Sequence, residues 1–210
     1  MRPSKESQDQ YFIQNGLDPW GYDTPYVKNR LDLSLRFLKR FVPGHFAGIL
    51  VEIGAFNGDF TRRLACAFPA SQIIASDLVK APWEASERQE TFPPSVSFQW
   101  SDMWDLAVPD ATGPTVLVMM ECLYYIEEKD RRNTVESIIQ KTSPEIVVCS
   151  APWGRISEAE FVGLMNGYEL ADRAIVSRLP GFKAAVARLF RPEDPQWIYA
   201  FRREAFASKA

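Results

Sequence analysis

Four stretches of this chain are almost unbroken runs of Val, Ile, Leu and Met: "FAGILVEIG" (46–54), "QIIASD" (72–77), "PTVLVMME" (114–121) and "EIVVCSAP" (145–152). Runs without polar alternation belong to strands buried on both faces. Between them lie segments with helical spacing: "DFTRRLACAF", residues 80–91 with Pro82 in the first turn, and a polar-faced stretch over 127–142. That alternation admits a mainly parallel sheet covered by helices on both sides. "VSFQW", "YELADRAIVSRL" and "QWIYAFRRE" add three strands, with a short helix at about 157–165 before the second of them. The expected fold is α/β, a Rossmann-like doubly wound seven-stranded sheet with the last strand antiparallel. Upstream, a helix is expected from Pro25 to Phe41. Leu31, Leu35, Leu38 and Val42 give its apolar face, Thr24 its N-cap and Pro43–Gly44 its stop. The chain divides into a helical cap or lid (1–43) and the sheet domain (44–210), with an insertion at about 179–194.

Composition narrows the function classes. A net charge of -3 over 210 residues argues against a nucleic-acid surface. No apolar run approaches the ~18 residues that span a bilayer. "MRPSKESQDQ" lacks the apolar core of a signal peptide. Cys66, Cys122 and Cys149 are odd in number and fall inside expected elements, so they read as reduced core residues of a cytoplasmic protein. His45, the only histidine, precedes strand 1 at the amino end of the sheet and reads as structural. No metal spacing is present.

The chemistry concentrates after strand 1, in "VEIGAFNGDFTRRLA" (51–65). Gly54 and Gly58 suggest a nucleotide turn, yet Phe56 and Asp59 occupy positions where the dinucleotide fingerprint needs glycine. Asp59 also opens the next helix, where it would repel a phosphate from the positive end of the dipole. Ligands of such sheets sit beyond the carboxyl ends of the strands. Glu52, Asp59, Asp77, Asp102 and Glu121 would all gather there. A pyrophosphate is disfavoured; S-adenosylmethionine, with a sulfonium, an ammonium, a ribose diol and no phosphate, fits. Asp77 ends strand 2 nineteen residues beyond Gly58, where an acid commonly accepts from ribose hydroxyls. Asp102 is placed for the adenine amine, with Met103 and Trp104 beside the ring.

With these residues the chain resembles class I S-adenosylmethionine-dependent methyltransferases. "VEIGAFNGDFT", "IIASD", "WSDMWDL" and "VLVMMECLYYI" match their motifs in order. More narrowly it is similar to the nodulation protein S group of N-methyltransferases. That likeness rests on the Glu52–Thr61 turn, Glu121–Tyr125, and the block from Asp18 to Tyr26. The resemblance implies that the cofactor lies along Glu52, Gly54, Ala55, Phe56, Gly58, Asp77, Leu78, Asp102, Met103, Trp104 and Glu121. It puts Trp20 and Arg30 at the methionine carboxylate. A guanidinium suits that carboxylate on physical grounds as well.

Methyl transfer is an in-line displacement, and the protein's task is alignment and exclusion of water. An amine can lose its proton to water, whereas an alcohol usually needs a base or a metal. The expected reaction is therefore N-methylation of a small molecule, an amino sugar or specialised metabolite, yielding S-adenosylhomocysteine. Glu121 would position the amine, with Tyr124 and Tyr125 as pocket wall. Trp153 and Arg155 could border the acceptor, and Arg178, Lys183 and Arg188 could make a basic flap. The alternatives are an O-methyltransferase, a non-catalytic cofactor-binding module, and a nicotinamide or flavin oxidoreductase, against which Asp59 and the missing glycines speak.

Overall fold

A computed structural model describes residues 10–14, 16, 18, 21–22, 24–84, 92–109, 113–152, 154–176 and 196–204. The strands are Ile49–Ile53 (β1), Gln72–Asp77 (β2), Val96–Trp100 (β3), Thr115–Met120 (β4), Ile146–Pro152 (β5), Tyr168–Val176 (β6) and Gln196–Arg203 (β7). They form one sheet in the order β3-β2-β1-β4-β5-β7-β6. β1 to β5 are parallel, and β7 is antiparallel to both of its neighbours. This is the expected Rossmann-like sheet, and its strand order reverses between β1 and β4.

The helices are Pro25–Leu38 (α1), Asp59–Ala67 (α2), Ala81–Glu84 (α3), Glu128–Thr142 (α4) and Glu158–Leu164 (α5). Both sheet faces are buried, which is why the strands read as continuous apolar runs. On one face Val51, Ile53, Leu117 and Met119 pack with Val135 and Ile138 of α4 and Phe161 of α5. On the other, Leu50, Val116 and Val118 meet Val27, Leu31 and Leu38 of α1 and Leu64 of α2. The Thr24 hydroxyl caps α1 by accepting from the Val27 N–H, with Pro25 in the first turn, where its missing donor is harmless.

Two details differ from the sequence reading. α1 ends at Leu38 rather than Phe41, because the Arg40 and Phe41 N–H groups turn back to Phe37 and Leu38, three residues earlier. Cys66 is exposed on α2 rather than in the core, whereas Cys122 and Cys149 are buried as expected. The helix expected over 80–91 is described only as α3, and its remainder, with the insertion at 179–194, lies outside the described residues. Among the described residues, no helix is long and apolar enough to cross a membrane.

Candidate active site

The turn after β1 is held from two sides. The N–H groups of Gly54 and Ala55 donate to the Ser76 carbonyl of β2 at 2.8 and 3.1 Å. Gly54 has φ +84°, and a Cβ there would lie 3.0 Å from Cys122 Cβ, so a side chain would be both strained and crowded. Phe56 follows with φ +47°, a conformation that costs a bulky residue energy. Two observations account for its tolerance. Its N–H donates to Asp77 Oδ2 at 2.7 Å, and its buried ring lies 4.8 Å from that of Tyr22 and 5.7 Å from that of Phe12. Asp77 Oδ1 accepts in turn from the Val79 N–H at 2.9 Å, closing a small loop around half-buried Leu78. Gly58, at φ +79°, starts α2.

Two of the five carboxylates expected to line the crevice do not line it. Glu52 is buried in β1 and accepts from the Thr61 hydroxyl of α2 at 2.6 Å. Burial pushes its carboxyl up to about 7, the Thr61 hydrogen bond opposing the shift and Asp77 adding to it. Glu52 therefore fastens the strand to the helix. Asp59 is also buried, and its carboxylate lies 3.4 Å from the Asn57 side-chain amide while its own N–H donates to Asn57 Oδ1. Asp77, Asp102 and Glu121 remain partly open.

At the end of β4, Glu121 also has a positive φ, +56°, and its N–H donates to Ser150 O of β5 at 3.1 Å. Phe56 and Glu121 thus put left-handed, non-glycine backbone after the two strands that flank the reversal in strand order. Strain of this kind collects at functional sites. Arg30 reaches Glu121 from α1, with Nη1 3.0 Å from Oε1. The arginine is 1% exposed, so it is a core residue rather than part of a solvated helix face. The guanidinium Nε is buried with no hydrogen-bond acceptor. The Tyr22 phenol completes the group. Burial raises its pKa, Glu121 raises it further, and Arg30 opposes.

Tyr124 and Tyr125 stand on a 3₁₀ turn, Leu123–Tyr125, between β4 and α4. Their hydroxyls are 3.2 Å apart and their ring centroids 4.4 Å apart, and Tyr125 is 59% exposed. Burial raises both pKa values, so the phenols stay protonated near neutral pH. Exposed Arg155 opposes the Tyr125 shift electrostatically. After β3, Asp102 caps the turn Met103–Asp105 by accepting from the Trp104 N–H at 3.3 Å, while Met103 packs against the core and Trp104 is half-buried. His45 lies exposed before β1, away from this end. Trp20 and Trp153 lie outside the described residues.

The structure therefore gathers Arg30, Glu121, Asp77 and the paired tyrosines at the carboxyl ends of β1, β2 and β4. Tyr22, inside the Asp18–Tyr26 block, belongs to the same group. Thr61 is also added. Its place nine residues after Glu52 matters only because the turn folds α2 back against β1.

No family model matches the chain, and no curated protein does. Solved structures do. The N-methyltransferase NodS from Bradyrhizobium japonicum WM9, in complex with S-adenosylhomocysteine, is 18% identical, with a TM-score of 0.70 over 93% of this chain and 98% of that one. The 1,6-didemethyltoxoflavin-N1-methyltransferase from Burkholderia thailandensis, with its namesake compound and S-adenosylhomocysteine bound, is 14% identical, with a TM-score of 0.68 over 93% and 87%. The [4+2]-cyclase SpnF is 13% identical, with a TM-score of 0.67 over 97% of each chain. The chain has the Rossmann-like fold that these methyltransferases and the cyclase share.

Proposed function

We propose that this protein is an S-adenosylmethionine-dependent methyltransferase acting on a small molecule, most plausibly on an amine nitrogen. One observation carries the reading. At the carboxyl end of β4 a buried guanidinium, Arg30, pairs through Nη1 with a strained glutamate and keeps its Nε without a hydrogen-bond acceptor. Such a group calls for a carboxylate from a ligand. The methionine end of the cofactor supplies one, with its ammonium beside Glu121. Asp77 and Leu78 would then meet the ribose. Asp102, Met103 and Trp104 would border the adenine. Gly54, Ala55, Phe56 and Gly58 would carry the backbone past the cofactor, with Glu52 supporting the turn from beneath. From the N-terminal segment, Tyr22 and Phe12, which pack on Phe56, would border the site.

When bound, the cofactor supplies an activated methyl group. The chain's residues would hold the acceptor in line and keep water out. Tyr124 and Tyr125, as protonated phenols, donate hydrogen bonds but do not serve as bases. That favours a nucleophile that arrives neutral or gives its proton to water, which is the case for nitrogen. Two methyltransferases of like fold carry N-methylation in their names, which supports the same choice, while a third, a magnesium protoporphyrin IX methyltransferase, does not. O-methylation and a non-catalytic cofactor-binding module are the competing outcomes.

The test is donor consumption across a panel of amines, phenols and sugars. The reading predicts transfer to at least one amine, and loss of turnover in Asp77→Ala. Transfer only to phenols or hydroxyls would move the reading to oxygen. Cofactor binding without turnover on any acceptor would leave the binding module.

A further inference from the structure

Arg131, on the first turns of α4, belongs to none of the groups described so far. It is largely buried, with only 11% of its side chain exposed, and it spans three elements. Its Nε–H is shared between the carbonyls of Leu123 (3.2 Å) and Ile126 (3.1 Å). Those two residues bracket Tyr124 and Tyr125. Its Nη1 pairs with Glu160 of α5. The 3₁₀ turn has few ties of its own. The Tyr125 N–H returns to Cys122 O and the Ile126 N–H to Leu123 O, both at 3.2 Å. The outward face of the turn is open, since Tyr125 is 59% exposed. A charged donor to two carbonyls is a stronger tie than either neutral bond.

We propose that Arg131 is a positioning residue for the acceptor wall: by clamping the carbonyls of Leu123 and Ile126 it sets where the Tyr124 and Tyr125 hydroxyls stand. Glu160 orients the guanidinium and links α5 to the same turn. This rests on the reading of Tyr124 and Tyr125 as the acceptor side, but the clamp itself is measurable without any acceptor. The planar fork is essential to it. Lysine in this place would keep the charge opposite Glu160 but would lose the Nε–H that the two carbonyls share.

The experiment uses the full chain labelled with 3-fluorotyrosine, with Tyr124→Phe and Tyr125→Phe to assign the two ¹⁹F resonances. Arg131→Lys and Arg131→Gln should both shift or broaden those resonances and leave those of Tyr168 and Tyr199 in place. Glu160→Gln keeps the two carbonyl bonds and should change them less. With an amine acceptor in hand, Arg131→Lys should raise the acceptor KM about tenfold, since small misplacements at a reacting centre are costly. Its affinity for S-adenosylhomocysteine should stay within about twofold of wild type, because a conserved cofactor side leaves binding free energy nearly unchanged. Unchanged Tyr124 and Tyr125 resonances in Arg131→Lys would overturn the proposal, as would an unchanged acceptor KM. If the resonances move while the wild-type chain methylates nothing, the clamp stands and the methyltransferase reading falls. Arg131→Lys and Glu160→Gln retain charge or fork, so they report even if Arg131→Gln does not fold.

Discussion

The Glu52 carboxylate accepts from the Thr61 hydroxyl and so holds the turn, one of the two roles that its place before the glycines suggests, the other being ligand contact. The cause is tertiary: α2 folds back over β1, and a sequence with no coordinates does not show which hydroxyl lies nine residues away in space. A pH dependence follows. The folded-state value of about 7 lies above the ordinary 4.5. Between those values the folded chain binds more protons than the unfolded one, so stability falls as pH rises through that window. A difference of this size corresponds to at most about 3 kcal/mol. Glu52→Gln removes the titration. The gain in its melting temperature over wild type should therefore be larger at pH 8 than at pH 5. An equal difference at both would contradict the assignment. Gly54 is the opposite case, legible from sequence because a turn after a strand commonly needs glycine. Gly54→Ala should cost more than about 1 kcal/mol in urea unfolding, from the positive φ and from the 3.0 Å approach to Cys122.

At the scale of elements, periodicity located α1 and its apolar face, but it left Arg30 on a border. Arg30 lies between Val27 and Leu31, both buried, and a helical pattern alone does not say whether such a residue points inward or out. The sheet decides, because α1 crosses it close enough to β4 to bring Arg30 onto Glu121. Removing one partner leaves the other charge poorly compensated. Arg30→Met should thus destabilise the chain by about 3 kcal/mol, and the double variant Arg30→Met, Glu121→Met should recover part of that loss. Strict additivity in denaturant unfolding would show the two residues to be uncoupled. The turn after β4 drew attention in the sequence through Glu121 and its two tyrosines. Arg131, whose Nε–H reaches the carbonyls of Leu123 and Ile126, sits in a polar helix beside Arg132 with nothing in the pattern to separate them.

At the scale of the whole molecule, seven strands and an antiparallel last one were readable, because buried parallel strands leave apolar runs, whereas the order β3-β2-β1-β4-β5-β7-β6 is set by packing and shows only in the structure. β6 alternates between exposed and partly buried positions, with Glu169 and Arg173 among the exposed. The fold alone leaves the chemistry open, since a cyclase shares it with methyltransferases. What narrows the choice is the site: a glycine turn without a phosphate cradle, Asp77 tying that turn to β2, and Arg30 waiting beside Glu121. Together these support the proposal that the carboxyl ends of β1, β2 and β4 bind a nucleoside with an amino-acid tail. The direct measurement is calorimetric titration of S-adenosylhomocysteine into the folded wild-type chain. One site with micromolar or tighter affinity is expected, with marked weakening in Asp77→Ala; folded protein that gives no binding heat at any temperature tested, or that binds NAD(P) instead, would overturn the proposal.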